Sequence, residues 1–121
     1  MPIRRILVVD DSPTERLALT ELLTREGYQV LTAENGEQAL ALARAELPDL
    51  VLMDVVMPGM NGYQATRQLH RDAATRHIPV IICTTKGQEA DRAWGLRQGA
   101  VAYLVKPIDE TALLAAIRSM E

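Results

Sequence analysis

The sequence contains no phenylalanine, one cysteine and only four aromatic residues, Tyr28, Tyr63, Trp94 and Tyr103. With so few rings the core has to be aliphatic, and each aromatic position raises its own question. Cys83 has no second thiol to join, which excludes an internal disulfide and a cysteine cluster holding zinc or an iron–sulfur centre; a reducing cytoplasm fits. Long hydrophobic runs are also missing. Ile6-Leu7-Val8-Val9 follows Arg4 and Arg5, but Asp10 and Asp11 stop it far short of a signal-peptide core or membrane span, so neither export nor membrane insertion is expected. Nor is positive charge in surplus. A net charge of −3 and a pI near 5.4 offer no broad cationic surface to a phosphate backbone, so no direct nucleic-acid binding is expected. What remains is ordinary for a folded domain: 121 residues, 48% hydrophobic and 24% charged, suit one core and not two.

Short apolar runs alternate with longer amphipathic ones. Ile6-Leu7-Val8-Val9, Val30-Leu31, Leu50-Val51-Leu52-Met53, Val80-Ile81-Ile82-Cys83 and Tyr103-Leu104-Val105 have the length of buried strands. Helical composition occupies roughly 13–26, 36–46, 61–72, 88–98 and 109–120. Strand and helix alternating in this way predict an α/β fold, a doubly wound five-stranded parallel sheet covered on both faces. The punctuation agrees. Ser12-Pro13-Thr14-Glu15 reads as a capping box with Glu15 reaching back, and Asn35, Asn61 and Asp109 read as further helix starts. Gly27 and Gly99 read as stops.

In such a sheet, ligands bind beyond the carboxyl ends of the strands. Here the first strand runs into Asp10 and Asp11, the third into Asp54, the fourth into Thr84 and Thr85, and the fifth into Lys106-Pro107. If the first and third strands are neighbours, three carboxylates converge and repel unless some protonate or a cation joins them. Mg²⁺ suits an oxygen-only set that lacks histidine. The alternative for Asp10 and Asp11 is simple capping of the first helix at its positive end. Lys106 and Thr84 favour the first reading, because a fixed cation and a hydroxyl suit a phosphoryl group carried on one carboxylate. Asp54, the central acid, would be the nucleophile, forming an acyl phosphate. Taken singly, a surface Lys, a satisfied Thr and a loop Asp explain the same residues.

With Asp10, Asp11, Asp54, Met57-Pro58-Gly59-Met60-Asn61-Gly62, Thr84 and Lys106-Pro107 assembled, the chain resembles the receiver domain of two-component response regulators, specifically a single-domain, CheY-like member. The likeness covers almost the whole of residues 1–121. It implies a flavodoxin-like sheet of order 2-1-3-4-5. It also implies phosphorylation of Asp54 by a histidine kinase or a histidine phosphotransfer domain. Asp11 would be the direct Mg²⁺ ligand, with Asp10 acting mainly through water and Val56 lending its backbone carbonyl. Thr84 and Lys106 would each contact a phosphoryl oxygen, and the Lys106-Pro107 peptide is expected to be cis. Tyr103 matches the switch aromatic, which turns inward when Thr84 is drawn toward the phosphate; otherwise it is a half-buried strand aromatic. Val56 would obstruct water, and Lys86 would either hold the phosphate or point away.

The resemblance further implies a cytoplasmic protein that catalyses only its own phosphorylation and dephosphorylation. With no output domain expected, the signal would leave by protein binding through the fourth helix, fifth strand and fifth helix. Ala93 and Leu96, an i, i+3 pair, are expected to face the sheet, turning Trp94 partly outward as a partner anchor near Tyr103; the alternative packs Trp94 into the core's edge. The segments Met57 to Arg67 and Thr84 to Gly95 resemble small receivers of the chemosensory systems that control type IV pilus twitching motility. A CheA-like histidine kinase is then the expected donor, in that pathway or in flagellar chemotaxis. The alternative is a receiver shuttling or draining phosphate in a phosphorelay. A flavodoxin-like electron carrier would need a hydroxyl- and glycine-rich phosphate loop where Asp10 and Asp11 stand. A haloacid-dehalogenase-type phosphatase would need Asp-x-Asp there. A degenerate receiver would lack some of these residues.

Overall fold

The computed structural model describes residues 2–121. Five strands, β1 (Arg5–Val9), β2 (Gln29–Ala33), β3 (Leu50–Met53), β4 (Val80–Thr84) and β5 (Ala102–Val105), alternate with five helices. These are α1 (Pro13–Arg25), α2 (Gly36–Glu46), α3 (Gly62–Arg71), α4 (Glu89–Arg97) and α5 (Glu110–Arg118). All neighbouring strands pair parallel, in the order β2-β1-β3-β4-β5, as expected. The uninterrupted apolar runs of β3 and β4 are buried throughout, because helices cover both faces. The edge strand β2 extends beyond Val30-Leu31 to take in Gln29 and Thr32, whose polar side chains reach solvent.

Side-chain alternation along the strands divides the core in two. Ile6, Val8, Leu50, Leu52, Ile81 and Cys83 meet α1 and α5 through Leu19, Leu22, Leu23, Leu113 and Ile117. Leu7, Val9, Val51, Met53 and Val80 meet α2 and α3 through Ala39, Leu40, Ala43, Ala65 and Leu69. Each fully buried Leu or Ile contributes roughly 1.5–3 kcal/mol of apolar burial. The fourth helix is different. Ala93 and Leu96 do not face the sheet: both are exposed, and the helix turns Gly95 and Gln98 inward instead. The cause is Tyr103. A Cβ on Gly95 would lie 2.8 Å from Cδ2 of the Tyr103 ring and 2.9 Å from Cδ1 of Ile82, so the ring occupies the space an α4 side chain would need.

Most helix boundaries follow the sequence signals. Asn61 and Gln64 form a complete capping box, Asn35 accepts from the Gln38 amide, and Asp109 accepts from the amides of Thr111 and Ala112. Gly27 and Gly99 have positive φ, at 96° and 115°. At α1 the expected box is only half made. The Ser12 hydroxyl accepts from the Glu15 amide at 3.3 Å, but the Ser12 amide donates to Asp10 Oδ1 at 2.9 Å, leaving the Glu15 carboxylate for another partner. The Lys106–Pro107 peptide is cis, as expected. Among the described residues no helix is long and apolar enough to cross a membrane.

Candidate functional site

Register builds the site. Val9 stands opposite Met53, so the residues that follow, Asp10 and Asp54, emerge side by side at the sheet's carboxyl edge. Their amides continue the ladder: Asp54 donates to the Val9 carbonyl at 3.0 Å and Asp10 to the Ala33 carbonyl at 3.1 Å. Asp10 is buried and Asp11 exposed, and one carboxylate oxygen from each of Asp10, Asp11 and Asp54 lies within 4.8 Å of the others. From β5, the Lys106 ammonium reaches in at 2.7 Å from Asp10 Oδ2, 2.9 Å from Glu15 Oε2 and 3.6 Å from Asp54 Oδ1. Arg16 secures the first strand end by donating to the Asp10 carbonyl at 2.7 Å. The following loop folds back tightly on Asp54, since a Cβ on Gly62 would collide with the Asp54 carbonyl oxygen.

Asp54 is 7% exposed. Its Oδ1 accepts from the Val55 amide at 2.9 Å and faces Lys106. Among the described residues no fully buried side-chain oxygen lacks a partner, so Oδ2, which shares neither contact, is the oxygen open to solvent. Burial, reinforced by the Asp10 charge, pushes the Asp54 carboxyl up to about 6, against the pull of Lys106 and the Val55 amide. For Lys106 burial works to lower the pKa. The hydrogen bonds to Asp10 and Glu15 and the Asp54 charge outweigh it, holding the ammonium above its ordinary range. Cys83, packed beneath the site, is pushed up to about 12 by burial, which makes it an unreactive thiol. Carboxylates outnumber the single ammonium, and oxygen is the only donor type they offer, so the cluster fits a hard divalent cation.

Thr84, at the end of β4, is fully buried. Its hydroxyl accepts from the Lys86 amide at 3.3 Å, and its carbonyl accepts from the Lys106 amide at 2.8 Å. Tyr103 is not half-buried but 2% exposed, turned into the protein, and therefore forms no part of the surface in this state. Its hydroxyl donates to the Lys86 carbonyl at 2.6 Å and lies 3.0 Å from the Tyr63 hydroxyl. Tyr63 Oη in turn lies 3.3 Å from the Asp91 carbonyl of α4. A hydrogen-bonded path thus runs from Thr84 through Lys86 and Tyr103 to Tyr63 of α3, and Arg92 of α4 joins it by donating to the Tyr103 carbonyl at 3.2 Å. Burial, with the hydrogen bond to Tyr63, raises the Tyr103 pKa far above that of a free phenol.

The outlying candidates separate. Val56 sits in the turn after Asp54 with its side chain in solvent. Lys86 extends toward Asp91 Oδ1, 3.9 Å away. Trp94 is 47% exposed but lies on the α3 side of its helix, beside Arg67, His70 and Arg71, rather than beside Tyr103. Two contributors were not anticipated. Glu15 read as a cap because its partner, Lys106, is remote in sequence, and nothing in the pattern around Tyr63 marks it as the hydrogen-bond partner of Tyr103.

Comparison with known proteins agrees with this geometry. Residues 6–118 match the response regulator receiver domain. Over 116 residues the chain is 63% identical to protein PilH of Pseudomonas aeruginosa, covering 96% of each. The chemotaxis protein CheY4 of Vibrio cholerae superposes with a TM-score of 0.91 at 30% identity, over 98% of this chain and 99% of that one. The receiver domain of a Pseudomonas aeruginosa sensor histidine kinase, solved with a magnesium ion coordinated in its active-site cleft, superposes with a TM-score of 0.88 at 31% identity, over 96% and 95% of the two chains. A flavin carrier and a dehalogenase-type phosphatase are thereby set aside: the chain belongs to the response regulator receiver domain family.

Proposed function

We propose that Asp54 accepts a phosphoryl group from a phosphohistidine, and that the modified protein signals by binding a partner. The observation that carries this reading is the placement of Asp54, buried between the Asp10 carboxylate and the Lys106 ammonium with one oxygen open to solvent. Asp54 Oδ2 bonds to phosphorus as the phosphorus–nitrogen bond of the donor breaks, returning the electron pair to the imidazole. Lys106, held protonated by Asp10 and Glu15, moves its hydrogen bond to a phosphoryl oxygen. Asp10, Asp11, Asp54 and the Val56 carbonyl would hold Mg²⁺, which when bound neutralises the carboxylates and the incoming phosphoryl oxygens. Thr84 contacts a second phosphoryl oxygen, releases the Lys86 amide, and so disturbs the path through Tyr103 to α4.

The pathway is a chemosensory one of the type IV pilus twitching kind, supplied by a CheA-like histidine kinase or a histidine phosphotransfer domain in the cytoplasm. The identity with PilH across 96% of both chains supports it. Output leaves through the α4–β5–α5 face, where Val105 is exposed and Arg92 of α4 donates to the Tyr103 carbonyl at 3.2 Å. The test is incubation with Mg²⁺ and a small acyl phosphate, followed by intact mass. One added phosphoryl group, absent in Asp54→Asn, supports the proposal; an unchanged mass in both proteins refutes it.

A further inference from the structure

Between α3 and α4 lies an open hollow of about 280 Å³, lined by Arg67, His70 and Arg71 on one side and Trp94, Arg97 and Gln98 on the other. Arg67 and Arg71 also border a second hollow of about 570 Å³ that runs over the outer face of α3 toward Gly59 and Met60. The two arginines are one helical turn apart, about 6 Å along the axis, and form a ridge common to both hollows. Elsewhere Arg5, Arg16, Arg25, Arg44 and Arg118 each have a carboxylate within 3.5 Å. Among the described residues, Arg67, Arg71 and Arg97 have no carboxylate in ion-pair range; Arg4, Arg76 and Arg92 also lack one, but only Arg67, Arg71 and Arg97 are gathered in one hollow.

The helix dipole accounts for a cation in the last turn, which covers His70 and Arg71 of α3 and Arg97 of α4. It does not account for Arg67 in mid-helix, nor for Trp94 standing half in water among these groups. Aromatic and guanidinium groups without lysine are the composition of contact clusters, and the planar guanidinium fork matches a carboxylate bidentately. We infer that this trough docks an acidic segment of a partner protein, with carboxylates one helical turn apart on Arg67 and Arg71 and an apolar side chain over Trp94. A small free anion would meet only solvated guanidinium groups, whereas a peptide spans both hollows and covers the indole. The chain's net charge of −3 repels such a segment elsewhere and so fixes where it lands. This surface and the α4–β5–α5 face lie on opposite flanks of α4, since Arg92 reaches β5 while Trp94 faces α3.

Trp94 is the only tryptophan, so its emission reports occupancy directly. The unphosphorylated chain is titrated with a helical peptide bearing paired Glu at i, i+4 and a Leu on the same face. Its Glu→Gln counterpart and ATP are titrated in parallel. The expected result is a saturable emission change with the acidic peptide, weakened about ten-fold by Arg67→Gln with Arg71→Gln, the loss of two exposed ion pairs. Arg4→Gln, a single exposed change remote from the trough, leaves binding intact. Equal responses to both peptides, a silent Trp94, or equal weakening by Arg4→Gln overturns the proposal. A response to ATP alone also overturns it, assigning the trough to a small phosphorylated ligand. Because the protein is unphosphorylated throughout, failure here leaves the Asp54 reading untouched.

Discussion

The hydroxyl oxygens of Tyr63 and Tyr103 stand 3.0 Å apart inside the protein, although 40 residues separate them in sequence. Tyr103 donates to the Lys86 carbonyl, so Tyr63 supplies the proton between the two rings, and the pair holds the Tyr103 ring inward without any phosphate. Tyr63→Phe keeps the packing and removes that proton. It is expected to lower stability by about 0.5–1.5 kcal/mol, read from the urea midpoint, and to let the Tyr103 ring leave its pocket in the unphosphorylated chain, read from its NMR signals. An unchanged midpoint together with unchanged Tyr103 signals rules the lock out.

Gly95→Ala would ordinarily strengthen a helix by about 1 kcal/mol. Here the added methyl meets the Tyr103 ring at 2.8–2.9 Å, and the net effect is expected to be destabilising by about 1–3 kcal/mol. Combining Gly95→Ala with Tyr103→Ala, which empties the ring's space, tests the cause. If the first change costs as much in the Tyr103→Ala background as alone, the collision is not responsible.

Asp54 carries a pH signature. Its folded pKa, about 6, lies above the unfolded value of 3.8, so the folded state holds this proton more tightly. The sign follows: stability is lost as pH rises from about 4 to about 6, and the penalty is complete above that. Asp54→Asn removes the penalty. The variant is expected to exceed the native protein by on the order of 2–3 kcal/mol at pH 7 and by little at pH 4, both measured without magnesium. Denaturation midpoints that differ equally at the two pH values contradict this assignment.

Lys106→Ala leaves Asp10 and Asp54 buried without their cation. Its raised pKa means that the stabilisation it gives is fully present below the ordinary lysine value of 10.5, so the loss is large at pH 7, about 3 kcal/mol. Phosphorylation of Asp54 is expected to survive while phosphate-dependent partner binding disappears. Normal phosphate-dependent binding by this variant would end the role assigned to Lys106.

The sheet order, the cis Lys106–Pro107 bond and the meeting of Asp10, Asp11, Asp54 and Lys106 were legible in the sequence, because strand length, parallel pairing and the family pattern all point to one edge of the sheet. Ala93 and Leu96 misled because helical spacing reveals which residues share a face, not which face is buried. That choice was made by a ring on a neighbouring strand. Tyr103 looked half-buried because the sequence does not show that Gly95 leaves room for it. Glu15 was assigned to the cap it sits beside, when the Ser12 amide had already been taken by Asp10. In each case the deciding contact joins elements distant along the chain.

Within the fourth helix only a glycine, Gly95, is buried, where each of the other helices buries at least two leucine, isoleucine or alanine side chains. Little apolar area is therefore lost when it lifts, and its backbone amides should exchange with deuterium sooner than those of α1 or α5. A protein that grips this helix must first quiet it, so complex formation should release heat and lose entropy, and a covalent clip across α4 should tighten binding without adding a contact.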